Sequence, residues 1–144
     1  MSEASYNRAV VRAILENPHV SVIATGQDGV IRFFNKGAEN LLGYKAEEMV
    51  GKQKTLVFAD AKEAAQHAEE LSLQYGVAVG AGREGIITGP TITGEPEERI
   101  WTYIRKDGGR RKVLMSLAIL RDDDGKMQGY IGISIPVPEG AAQK

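Results

Sequence analysis

The sequence contains no cysteine. That absence excludes disulfides, zinc–thiolate centres, iron–sulfur clusters and cysteine nucleophiles. Histidine is nearly as scarce: only His19 and His67 occur, and neither has the neighbouring ligands of a paired metal site. An excess of one charge is also missing. The 18 basic and 19 acidic side chains leave a net charge of -1, which argues against nucleic-acid binding through bulk charge. No apolar run approaches the roughly 18 residues that span a bilayer, and the charged opening MSEASYNRAVV is no secretory signal. A cytoplasmic protein without a membrane partner is expected. No Gly-x-Ser-x-Gly elbow surrounds Ser21, Ser116 or Ser134, and no kinase or cyclase motif is present, so the chain is not expected to be an enzyme.

What is present is an ordinary globular composition, 42% hydrophobic and 26% charged over 144 residues, enough for one domain with its own core. Residues 5–16 place Tyr6, Val10, Ala13 and Ile14 at helical spacing, with Arg8, Arg12 and Glu16 off that stripe and Pro18 beyond it. So short a helix needs a partner for its stripe. Residues 1–17 therefore read as an amphipathic helix that caps the domain or pairs with a second subunit. Residues 19–25 and 30–34 read as strands, and alternation about Arg32 puts Ile31 and Phe33 on one face. Residues 58–76 are the longest helical signal, with Asp60 as N-cap, a stripe of Ala64, Ala68, Leu71 and Tyr75, and Gly76 as terminator. Between 77 and 98, Gly80, Gly82, Gly85, Gly89, Gly94, Pro90 and Pro96 argue against long regular structure and for a lid or binding loop. Strands at 99–105, 110–120 and 127–137 form an antiparallel meander, and residues 138–144 are expected to be a disordered tail. Strands, then helices, then strands make an α+β domain.

The most structured local signal runs from Asp28 to Lys52. Asp28-Gly29 favours a tight turn, Asn35 can cap the following helix, and Gly43 can end it in the left-handed C′ conformation. Asp28-Gly29, Asn35, the run Glu39 to Tyr44, Glu47-Glu48 and Gly51-Lys52 together resemble the PAS domain family, sensory modules of signalling proteins. The resemblance resumes at Arg105-Lys106-Asp107-Gly108 and from Arg121 to Gly132, and spans about residues 18–135 with a weak stretch at 76–98. It implies a five-stranded antiparallel sheet with short helices across one face, an N-terminal capping helix, and a PAS domain at 18–137. It further implies a small-molecule ligand, a homodimer or both, with a ligand-free dimerisation module as the alternative, and a covalently linked output domain such as a histidine kinase, cyclase or transcription factor. One departure is Ile135-Pro136-Val137-Pro138, which would interrupt a continuous effector helix.

A ligand pocket is expected between the long helix and the sheet. There the alanines leave either a void or a close backbone approach, and the segment Gly80–Gly94 serves as gate. Its expected lining draws Ile23, Ile31 and Phe33 from the first strands, with Asn35 as cap or ligand contact. Leu42 and Val57 come from the short helical region, and Ala68, Leu71 and Tyr75 from the long helix. Tyr103, Leu117, Ile119, Ile131 and Ile133 come from the meander. The dimer surface is expected at Tyr6, Val10, Ala13 and Ile14. In haem-binding PAS domains the proximal histidine lies on the long helix, at or within one residue of His67, so the resemblance makes His67 a candidate iron ligand; the alternative is a surface helix histidine at the stripe edge. Flavin adduct chemistry is excluded without cysteine, which leaves non-covalent stacking on Trp101 against a core or interface tryptophan. Neither haem nor flavin is favoured. Gly80-Ala81-Gly82-Arg83-Glu84-Gly85 spells a dinucleotide fingerprint, but that reading needs a helix directly after it, and Gly85, Gly89 and Pro90 argue against one.

Overall fold

A computed structural model describes residues 1–138, so most of the expected tail at 138–144 lies outside the described residues. The first helix, α1, spans Glu3–Leu15 and is capped by the Ser2 hydroxyl, which accepts from the Ser5 N–H. None of its residues is buried. Strands β1 (Ser21–Gly26), β2 (Ile31–Phe34), β3 (Glu97–Ile104), β4 (Arg110–Arg121) and β5 (Met127–Pro136) form one antiparallel sheet in the order β2-β1-β5-β4-β3. This is the five-stranded sheet that the resemblance implies. Between β2 and β3 the chain forms α2 (Lys36–Leu42), α3 (Ala46–Met49), a 3₁₀ turn (Thr55–Val57), α4 (Ala61–Tyr75) and α5 (Glu84–Thr93).

Local chemistry sets the helix ends. The Asn35 side chain accepts from the Ala38 N–H and caps α2; Gly43 closes that helix at φ 81°. Asp60 accepts from the N–H groups of Lys62 and Glu63, and Gly76 ends α4 at φ 67°. Left-handed backbone of this kind costs a side-chain-bearing residue roughly 1–2 kcal/mol. The core gathers Ile23, Ile31, Phe34, Leu42, Met49, Phe58 and Val113 between the helices and the sheet.

Two expectations about strand faces are corrected. In β2 the register with β1 slips: Ala24 pairs with Phe33 but Thr25 pairs with Ile31, so Arg32 is the extra residue of a β-bulge. The bulge turns Ile31 and Phe34 inward together, and Phe33 is left half-buried on the other side. In β5 the inward residues are Tyr130, Gly132 and Ser134, all buried. Ile131, Ile133 and Ile135 face outward, opposite Ala118, Ser116 and Leu114 of β4.

The segment 77–98 is also corrected, because α5 is a regular helix of ten residues. Its glycines are contact surfaces rather than breakers. A Cβ on Gly85 would stand 2.0 Å from the carbonyl oxygen of Ala64, and one on Gly89 would stand 2.2 Å from a Glu97 carboxylate oxygen. Pro90 forgoes one helical hydrogen bond, yet it is fully buried and does not end the helix. Ala64 and Ala68 of α4 are therefore small because α5 crosses them at backbone distance. Gly85→Val is expected to destabilise by at least the 1–3 kcal/mol of ordinary overpacking, and Gly43→Val by about 1–2 kcal/mol. Denaturant melts of both variants beside the parent check this.

Candidate functional site

A partly open space lies between α5, the residues around the 3₁₀ turn and the inner sheet face, not between α4 and the sheet. It is a cavity of about 50 Å³. Ile23, Phe58, Ile86, Ile87, Trp101, Met115, Leu117 and Gly132 make its apolar wall, and Thr25, Asp60, Arg83, Thr102, Tyr103 and Tyr130 bring polar groups to it. Gly132 keeps the space open, since a Cβ there would meet the Met115 sulfur at 3.1 Å.

Most of the polar groups are already matched. The Tyr103 hydroxyl lies 3.1 Å from Ser134 Oγ, and burial pushes its pKa up to about 12, so it remains a neutral phenol. Tyr130 shares a hydrogen bond of 2.9 Å with Thr91 of α5. Thr102 donates its hydroxyl (2.7 Å) and its backbone N–H (2.6 Å) to the two carboxylate oxygens of Glu63. Asp60 caps α4 and pairs with Arg110. Arg83 donates to the Gln27 carbonyl at 2.7 Å, and its guanidinium carbon stands 5.6 Å from the centre of the Tyr130 ring.

Of the expected lining, Ile23, Tyr103 and Leu117 meet at this cavity. Ile119 packs beside the core, while Ile31 and Leu42 are fully buried within it, away from the cavity. Phe33 and Asn35 border a separate open groove between α1 and β2. Ala68 and Leu71 are buried on α4, with Ala68 at the crossing with α5. Val57, Tyr75 and Ile133 are exposed and Ile131 is half-buried on the outer face, so these four do not line the cavity. Arg83, Ile86, Ile87, Met115 and Tyr130 enter the site without having been anticipated. The first three lie on or next to α5, whose glycines hid it. Of the dimer stripe, Tyr6, Val10, Ala13 and Ile14 are all exposed on α1.

His67 does not fit a haem iron. It is 6% exposed and does not line the cavity. Its Nδ1 lies 3.2 Å from Glu70 and its Nε2 3.1 Å from Glu97, so both ring nitrogens already face carboxylates. The ring meets Trp101 edge-on at 5.6 Å, and Arg99 completes the cluster through an ion pair with Glu70. Trp101 is thus a buried residue of the inner side and not an outer-face contact. A 50 Å³ cavity is also far below the roughly 300–1,000 Å³ of sites for drug-sized ligands, which excludes an isoalloxazine from this conformation. The helix following Gly80-x-Gly82-x-x-Gly85 exists after all, but it comes after a helix and not after a parallel strand, and the dinucleotide reading still fails.

Burial disfavours a charged His67, but hydrogen bonds to Glu97 and Glu70 outweigh it and raise the pKa above the ordinary value of 6.5. A raised folded-state value means that the cluster stabilises fully below about pH 6.5 and that this contribution is lost as pH rises through the folded value. Urea melts between pH 5.5 and 9 are expected to show stability falling on the alkaline side. His67→Gln is expected to flatten that limb; an unchanged pH profile in the variant would show that the cluster does not titrate.

A family model for the PAS domain matches residues 18–135. No curated protein matches the chain. Among solved structures, the PAS domain of a protein from Colwellia psychrerythraea superimposes with a TM-score of 0.70 at 17% identity, covering 92% of this chain and 97% of that one. The PAS domain of an HTR-like protein from Haloarcula marismortui gives 0.59 at 20% identity, with 93% and 94% covered. A PAS domain from a two-component sensor histidine kinase gives 0.62 at 12% identity, with 94% and 100% covered. At such identities these structures speak to the fold alone. The family match over most of the chain agrees with the sheet order, the Asn35 cap, the Gly43 terminator and the helices across one sheet face, and on these grounds the chain belongs to the PAS domain family, sensory modules found in signalling proteins.

Proposed function

We propose that this chain is a cytoplasmic, non-catalytic sensor that binds a small ligand in the cavity under α5 and works as a homodimer to control a covalently attached output domain. The observation that carries this reading is the cavity itself. Interiors rarely leave voids larger than a water, and this one is walled by apolar side chains with a few polar groups, the usual character of a ligand site. Ligand control requires unequal affinity for two states, and α5 is the element placed to register it, since it forms one wall and carries Arg83 at its start.

Homodimer formation is supported by two apolar surfaces that this chain leaves uncovered. Tyr6, Val10, Val11 and Ile14 of α1 are exposed, and Ile133 and Ile135 are 41% and 45% exposed on the outer sheet face. Together they make more apolar surface than isolated exposed residues would. Among the described residues no helix is long and apolar enough to cross a membrane.

Ile87→Trp fills the cavity without touching α1. Native mass spectrometry of the purified protein is expected to show a bound small molecule in the parent and none in this variant; retention by the variant would move the site elsewhere. Light scattering at high micromolar concentration is expected to give a dimer, and the pair Val10→Glu and Ile14→Glu a monomer. A monomeric parent would refute the dimer.

A further inference from the structure

We infer that the cavity takes a small monoanion with a short apolar tail, a carboxylate of about five carbons being the simplest case, and that Arg83 holds its head group. This deepens the reading of the cavity as the ligand site and rests on it. Among the polar groups on the wall, Asp60, Thr102, Tyr103 and Tyr130 already have partners within the protein. Arg83 differs. A guanidinium has five N–H donors, and one of them reaches the Gln27 carbonyl. Among the described residues no carboxylate forms an ion pair with it. Its neighbour Glu84 turns its carboxylate to the Gly80 N–H, and Asp28 in the adjacent turn accepts from the Val30 N–H.

Arg83 is half-buried, and its guanidinium lies along the face of Tyr130, itself a wall residue. A cation partly withdrawn from water with donors to spare favours a planar anion that it can grip with two parallel hydrogen bonds. Apart from the hydroxyls of Thr25 and Thr55, the remainder of the wall is hydrocarbon, thioether or polar groups already matched. At about 10–15 Å³ for each water-sized occupant, 50 Å³ holds a tail of roughly three to five heavy atoms. Among the described residues Arg83 is the one cation on the wall, so it matches a single negative charge, and the second charge of a dianion would be withdrawn from water without a partner. Because Arg83 also bridges α5 to the turn between β1 and β2 through Gln27, an anion at its guanidinium acts on the α5 wall directly.

The test is isothermal titration of the whole chain with valerate and with valeramide, its neutral isostere. Valerate is expected to bind at least about tenfold tighter, the size of one charge-assisted contact. Arg83→Gln is expected to remove the preference and leave weak, equal binding; Arg83→Lys is expected to keep part of it. Ile87→Trp is expected to abolish valerate binding, and binding that survives that change would place the anion elsewhere and overturn the assignment. Equal binding of acid and amide by the parent chain would overturn the anion class while leaving the cavity as a ligand site. Binding of neither would remove both readings. The parent ratio decides the matter even if the Arg83 variants do not fold.

Discussion

The fold turns on how α2 is seated against the end of β1, and Asn35 makes that joint. Its side-chain oxygen accepts from Val22 N–H at 2.8 Å and Ala38 N–H at 2.9 Å, while its amide donates to the Val20 carbonyl at 2.9 Å. One buried side chain therefore satisfies a strand, starts a helix and holds the link from α1. Two residues on, a Cβ at Gly37 would stand 2.0 Å from the Val20 carbonyl oxygen, so the helix starts closer to the strand than any other residue allows. Buried amides of this kind are costly to leave half-satisfied. With α2 fixed, Leu41 and Leu42 point into the core and Gly43 redirects the chain into α3.

The helical layer is set by a second close approach. Gly85 on the backbone of Ala64 draws α5 onto α4, and on its sheet side α5 shares the lining of the cavity with Gly132. Small residues thus bring two helices together on one side of α5 and leave space on the other. The same choice of glycine that permits tight packing also makes the cavity.

Caps and terminators were legible in the sequence because they are local chemistry: Asn35, Gly43, Asp60 and Gly76 act on their own neighbours. The faces were less so. Alternation in Tyr130-Ile131-Gly132-Ile133-Ser134 suggests isoleucines inward, and the structure does the opposite. An apolar outer face defeats the rule that the greasier side of a strand is the core side. The bulge at Arg32 carries no composition signal at all. In α5, glycine and proline weigh against a helix by propensity, and tertiary contact overrides that weight. The site residues Arg83, Ile86 and Ile87 were hidden with it. The spacing placed His67 at the edge of the α4 stripe, as an iron ligand or a surface histidine; it is buried, and Glu97, thirty residues away, is what occupies its Nε2.

The grip of Glu63 on Thr102 reaches beyond the site it borders. β3 is the sheet's long edge, and a long edge with unpaired amides invites a foreign strand to extend the sheet. Here the Thr102 N–H is taken by the Glu63 carboxylate and the Ile104 N–H by the Phe58 carbonyl. The opposite edge, β2, is four residues long and broken by its bulge. Strand addition, the recognition mode by which many sheets recruit extended peptides, is thereby discouraged at both margins. Partners of this domain are left to meet it face-on, by packing side chains rather than by sharing backbone.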